Sequence, residues 1–337
     1  MRLSRRPFLT LPLLIGGPAA CGSKSAPKQP AVAASIFPVY DLTRRVAGDR
    51  VETVLLLPPG RSEHGYDPTP AEMARVSGAK LTVEVGLGLD DWVGAMVRRA
   101  AGREVASLRL GPKASPRPIT TEAVGEEAAE HGHDEHEKGE RHGEHEKGER
   151  HGEHEKGERR GEHAHERGGL DPHVWLDPVR MRDATPAIVE SLSTLDPEGA
   201  QGYRARGEAL REALSALDAE IGARAKRWAR RVIVTFHGSM GYYAERYGLK
   251  VAAVIEPFPG REPTAKYVKE VLAAIAASKP AALFSEPQLD RRPAQAIADE
   301  AKLPLFELDP VGGGPNVDSY EKLLRHDTDM LERALGA

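Results

Sequence analysis

The stretch Pro197 to Trp228, PEGAQGYRARGEALREALSALDAEIGARAKRW, decides how this chain is organised. Alanine, leucine, glutamate and arginine are strong helix formers. Leu210, Leu214, Leu217 and Ile221 recur at spacings of four, three and four, which places them on one face of an α-helix. A helix of about 30 residues extends about 45 Å, enough to run along two domains instead of merely linking them. A stiff connector over residues 196–229 is therefore expected, with one unit before it (31–195) and one after it (230–337).

Both flanks alternate short apolar runs with helical stretches, the pattern of an α/β fold with parallel sheets. Before the connector, strands are expected at Val32 to Ile36, Val51 to Leu57, Leu81 to Val85 and Val105 to Leu108. Helices are expected there at Val39 to Ala47, Pro70 to Ser77 and Asp90 to Ala101. After it, strands are expected at Val232 to Phe236, Val251 to Ile255, Ala281 to Phe284 and Leu305 to Leu308. The helices of that half are Gly241 to Tyr247, Pro263 to Ala277, Arg292 to Ala301 and Val317 to Leu335. A chain of 337 residues can bury two such cores.

Lysine plus arginine number 47 against 51 acidic residues, a formal charge of -4, which gives no electrostatic reason to bind nucleic acid. Nine of the 13 histidines are His131, His133, His136, His142, His145, His151, His154, His163 and His165. In that segment the unit His136-Glu-Lys-Gly-Glu-Arg-His142-Gly-Glu144 repeats from His145 and from His154, with Arg160 in place of the third copy's second histidine. The repeat has no apolar residue and cannot build a core, so a solvated loop is expected. Its histidine density marks auxiliary metal binding, with a plain polar spacer as the alternative.

Residues 1–20 have the plan of an export signal: Arg2, Arg5 and Arg6, an apolar run from Phe8 to Ile15, then small residues. The run is too short to span a bilayer. The adjacent arginines leave both the general secretory and the twin-arginine routes open. Cys21, the sole cysteine, excludes an intrachain disulfide. Ala19-Ala20-Cys21-Gly22 resembles the lipoprotein processing box, so Cys21 is expected to carry a lipid anchor, with residues 21–30 as a tether. An unmodified thiol is the alternative.

His64, His173 and His237 lie in loops, His237 directly after an expected strand, and Asp309 also follows a strand. Open α/β sheets place ligands at the carboxyl ends of their strands. Three neutral imidazoles and one carboxylate would make a tetrahedral set suited to zinc. Taken singly, each histidine is more often a surface group or a helix cap than a ligand, and His326 in the last helix stays under that reading.

Four ordered motifs carry more information. They are Glu63-His64 followed by Asp67-Pro68-Thr69-Pro70; Asp171-Pro172-His173-Val174-Trp175-Leu176-Asp177-Pro178; Phe236-His237 followed by Gly241-Tyr242; and Leu308-Asp309-Pro310. With these the chain closely resembles the metal-binding solute-binding proteins of ABC importers, specifically their zinc-uptake branch, from Ala31 to about Ala337. The resemblance implies a monomeric receptor of the periplasm or outer cell surface. It would have two α/β lobes joined by one long rigid helix, a membrane permease as partner and no catalytic residue. It also implies that His64, His173, His237 and Asp309 bind metal in the interlobe cleft. Manganese-uptake relatives carry glutamate at the third position, so His237 favours Zn2+ over Mn2+.

Glu63 is a possible auxiliary ligand, but as a solvent-exposed acid beside His64 it is expected to act on the ligand rather than on the metal. Trp175 reads as a packing residue, and Asp171 and Asp177 as groups that cap or bond backbone. A zinc hydrolase is the rival from another class, but four protein ligands close the position that catalytic zinc keeps open. A periplasmic zinc store or an adhesin is the third reading, resting on the loop or on fold analogy.

Overall fold

A computed structural model describes residues 32–119, 169–257 and 260–336. The export signal, Cys21, the tether and the histidines from His131 to His165 lie outside the described residues. The first half runs β1 (Val32–Ala34), α1 (Phe37–Ala47), β2 (Thr53–Leu55), α2 (Pro70–Arg75), β3 (Leu81–Glu84), α3 (Trp92–Ala101) and β4 (Ala106–Arg109). Its strands form one parallel sheet in the order β2-β1-β3-β4. Helix α1 starts ahead of its expected position because Pro38, which has no N–H to lose, sits in the first turn.

Two long helices follow, α4 (Pro178–Leu195) and α5 (Ala200–Ala225). The second half runs β5 (Val232–Thr235), α6 (Gly241–Tyr247), β6 (Lys250–Val254), α7 (Ala265–Ser278), β7 (Leu283–Ser285), α8 (Arg291–Ala301), β8 (Leu305–Glu307) and α9 (Tyr320–Leu335). It repeats the parallel arrangement in the order β6-β5-β7-β8.

The connector is the 26-residue helix α5, preceded by a 3₁₀ turn at Pro197–Gly199, and it extends about 39 Å. Leu210, Leu214, Leu217 and Ile221 are all buried, as their spacing requires. The helix packs against α1 and α4 and also against α6 and α9, so it belongs to both halves. Helix α4 is not among the expected elements. Its helical pattern is interrupted by Pro186. The carboxylate of Asp177 caps it, accepting hydrogen bonds from the N–H groups of Val179 and Arg180 at 2.9 and 3.3 Å. The antiparallel pair α4 and α5 meets closely at Gly207, where a Cβ would come within 2.4 Å of Val189.

Direct bonds between the halves hold their relative position. Arg246 of α6 grips Asp177 with Nε at 2.9 Å and Nη2 at 2.7 Å. Tyr320 N–H of α9 donates to Asp41 of α1 at 3.0 Å, and Arg45 pairs with Glu321 at 2.7 Å. Trp175, fully buried, donates Nε1–H to the carbonyl of Pro310 at 2.7 Å, while Tyr320 Oη donates to the carbonyl of Trp175 at 2.6 Å. Trp175 thus packs as expected and also ties one half to the other. Among the described residues, no helix is long and apolar enough to cross a membrane.

Replacing Trp175 by Phe keeps most of the buried ring but leaves the Pro310 carbonyl without its donor. The expected cost is about 1 to 2 kcal/mol, read as a fall of a few degrees in thermal unfolding midpoint. An unchanged midpoint would show that this tie carries no stability.

Candidate metal centre

Each sheet has a switch point, where successive crossovers leave in opposite directions and the strand ends open a crevice. In the second sheet it lies between β5 and β7. His237 stands two residues beyond the end of β5, Glu286 directly follows β7, and Asp309 stands two residues beyond β8. From the first half come His64, in the segment between β2 and α2, and His173, just before the 3₁₀ turn Val174–Leu176.

These loops bring three imidazoles together. One nitrogen from each of His64, His173 and His237 lies within 4.8 Å of the other two, the one such group among the described residues. The Nε2 atoms of His64 and His173 are 3.4 Å apart. His64 stands 5.4 Å from His173 and 4.6 Å from His237, centroid to centroid, and His173 and His237 are 4.8 Å apart. His173 and His237 are buried and His64 is partly so. His326 lies in α9, outside the group.

Carboxylates stand behind two of the rings. Asp171 Oδ1 meets His173 Nδ1 at 2.8 Å and also accepts the His173 backbone N–H at 3.0 Å. This fixes the proton on Nδ1 and leaves Nε2 as the free donor facing the centre. Across the switch point, Glu286 Oε2 lies 3.4 Å from His237 Nδ1, an ion-pair distance without hydrogen-bond alignment. Ser239 holds the other Glu286 oxygen at 2.8 Å. The reading of Asp171 as a backbone-bonding group was therefore half of its role, and Glu286 was missed. Its signal was present, since it follows its strand much as His237 follows its own.

Glu63 is buried, not solvent-exposed as expected, with Oε1 3.7 Å from His64 Nε2 and no hydrogen bond to that oxygen. Burial pushes its carboxyl up to about 7; the neighbouring His237 opposes the shift, while Glu286 and Asp309 add to it. Asp309 stays outside the three-imidazole group. Its Oδ1 accepts hydrogen bonds from Gln288 Nε2 at 2.6 Å and from the N–H groups of Gly312 and Val311 at 2.8 and 3.2 Å.

The same surroundings move two imidazoles in opposite directions. For His173 burial dominates and lowers proton affinity, despite the opposing Asp171. For His237 burial also acts to lower it, but Glu286, Glu63 and Asp171 together outweigh burial, and its pKa is raised. The centre is therefore a cluster of imidazole nitrogens backed by buried carboxylates, one of them with an unpartnered oxygen. Buried carboxylates are costly unless a cation or hydrogen bonds compensate them, and a divalent ion among the three nitrogens would do so.

Known proteins resemble this chain in sequence and fold. The chain is 29% identical over 319 residues to the high-affinity zinc uptake system protein ZnuA of Brucella abortus, covering 94% of each chain. It is 26% identical over 293 residues to the zinc-binding lipoprotein AdcA of Streptococcus pneumoniae; that match takes in 87% of this chain but spans about half, 52%, of the relative. A crystal structure of a ZnuA superposes with a TM-score of 0.71 at 23% identity, covering 92% of this chain and 100% of that one, and so shares the fold. Residues 32–334 match the family described as ZnuA, the periplasmic component A of the zinc-uptake complex, and the chain belongs to that family.

Proposed function

We propose that the protein is an extracytoplasmic zinc receptor that captures Zn2+ between its two halves and hands it to the permease of an ABC importer. The observation that carries this reading is the convergence of the His64, His173 and His237 nitrogens within 4.8 Å of one another. Borderline nitrogen donors suit zinc, and carboxylates behind the rings raise their basicity as ligands. Asp309 is the proposed fourth ligand. Its Oδ1 is held by three donors, so Oδ2 is the oxygen it would offer. Glu63, buried beside His64, is the auxiliary oxygen donor, and the charge of an arriving cation would favour its ionised form. The family's periplasmic description and the lipoprotein name of the streptococcal relative support export and anchoring through Cys21.

Zinc titration of the purified mature chain, followed by calorimetry, should give one tight site and a set of weaker ones. His173→Ala should abolish the tight site, and deletion of residues 131–165 should remove only weak ones. A zinc store gives the opposite result, losing most of its capacity with the segment and little with His173.

Glu286→Gln keeps the shape of the side chain and removes its charge from behind His237. Loss of such a partner costs about ten- to a hundredfold in metal affinity. Competition against a chelator of known strength measures it, and an unchanged dissociation constant would remove Glu286 from the site.

Protons compete with zinc for imidazole. A ligand whose pKa is raised yields to protons earlier as pH falls, and one whose pKa is lowered yields later. In a chain lacking residues 131–165, zinc affinity should therefore start to fall above pH 6.5, the ordinary histidine value, through His237. His173 should join only below that value, so the decline steepens toward three protons per zinc at the acid end. The total fall from pH 7 to pH 5 should be roughly three orders of magnitude. A flat affinity over that range would contradict a three-imidazole site.

A further inference from the structure

Arg117 belongs to none of the motifs singled out in the sequence, yet it stands between the segments that carry two of the three histidines. It lies on a short antiparallel pairing in which Pro118 bridges to Leu170, Asp171 N–H donates to the Arg117 carbonyl at 2.8 Å, and Ile119 N–H donates to Gly169 at 2.9 Å. Its guanidinium reaches across to the second half. Nη1 meets Glu245 of α6 at 3.0 Å, Nη2 meets Asp171 Oδ2 at 3.4 Å, and the group lies over the Tyr242 ring at 4.6 Å from its centroid.

The backbone joins the same arrangement. Arg117 N–H donates to Tyr242 Oη at 3.0 Å, and that hydroxyl donates to the Asp171 carbonyl at 2.8 Å. Asp171 is thus held at its carbonyl by Tyr242 and at Oδ2 by Arg117, while its Oδ1 holds His173 Nδ1 at 2.8 Å. Tyr242 and Glu245 are on α6, which follows His237 after the 3₁₀ turn Gly238–Met240. The start of α6 leaves room for this contact only because residue 241 is glycine. A Cβ there would come within 2.1 Å of Arg117 Nη2 and 3.2 Å of Asp171 Oδ2.

We propose that Arg117 is a positioning residue for metal capture: by gripping Asp171 and α6 together it fixes where His173 stands relative to His237. This role rests on the zinc-receptor reading above. A planar guanidinium suits it, because one rigid group can bond two carboxylates and stack on an aromatic ring at the same time.

The test is a double-mutant cycle on the full mature chain, with zinc dissociation constants from chelator competition and thermal unfolding measured alongside. Arg117→Gln should weaken zinc by roughly three- to tenfold, at or below the lower end of the effect of groups that touch a ligand directly. Asp171→Asn should weaken it by about ten- to a hundredfold. The double variant should be no weaker than Asp171→Asn alone, because Arg117 acts through Asp171. A general loss of stability would instead multiply through the cycle, and that result overturns the proposal. Gly241→Ala pushes the guanidinium aside without removing any charge, and it should reproduce the Arg117→Gln loss and its dependence on Asp171. If Arg117→Gln does not fold, Gly241→Ala carries the same cycle. Tight zinc binding by the wild type with no change in either variant overturns this inference alone, whereas absence of tight binding by the wild type overturns the receptor reading and this one with it.

Discussion

The hydrogen bond from His173 Nδ1 to Asp171 Oδ1, 2.8 Å long, constrains the rest of the structure. It fixes one imidazole by tautomer and direction, and the centre exists only if the other rings are brought to it. His64 is 109 residues away in sequence, and His237 belongs to the other sheet. Two sheets that drifted by an ångström would separate nitrogens that now lie within 4.8 Å of one another. The shared helix α5 and the ties through Trp175, Arg246 and Arg45 hold the sheets against such drift. A preformed site spends little of its binding free energy on ordering, which is where rigid receptors gain affinity.

The same closeness crowds buried carboxylates around the rings. Glu63, Asp171 and Glu286 are all buried close to the rings. Burial acts to raise the proton affinity of Asp171, but His173 and Arg117 outweigh it and hold the group below the ordinary carboxylate value. Glu63 has no such partner for Oε1 and moves the other way. In a low-dielectric setting, that difference is one between a carboxylate compensated by the protein and one that is not. Asp171 is thus part of the frame, and Glu63 is the carboxylate for which the frame supplies no such compensation.

The fold was legible in the sequence wherever one element was enough to determine its own pattern. Leu210, Leu214, Leu217 and Ile221 mark a helix face without reference to any neighbour, and the apolar runs ahead of His237 and Asp309 mark strands. Helix α4 escaped because Pro186 breaks its pattern and its stability comes from packing on α5, where Gly207 admits Val189. The three histidines could be found from their loops and from the motifs around them. The pairings behind them could not, even where a residue such as Glu286 stands at a strand end, because the Glu286 to His237 contact joins two strand ends and the Arg117 to Asp171 contact spans 54 residues. Such pairings are made by the tertiary fold and leave no local period. Glu63 shows the same limit in burial: an acid beside a loop histidine reads as exposed until the opposite half covers it.

Metal choice follows from which atoms the fold leaves free. With Nδ1 of His173 bonded to Asp171, its Nε2 is the donor turned inward, 3.4 Å from His64 Nε2, while Nδ1 of His237 lies beside Glu286. Three imidazole nitrogens favour zinc and its neighbours over manganese, which prefers oxygen. Raw affinity for nitrogen rises through nickel to copper, so donor type alone would not single out zinc. In the proposed four-ligand set, coordination geometry would supply the remaining discrimination. The His237 ring stands at 85° to His64 and 71° to His173, and His64 stands at 53° to His173, so the three rings are mutually tilted. Copper(II) and nickel(II) gain most from square-planar or tetragonal surroundings, whereas zinc, with a filled d shell, loses nothing in a tetrahedral one. Under the proposed four-ligand set, the ties between the halves that keep His64 and His173 beside His237 would therefore also keep the donor geometry on which zinc selection depends.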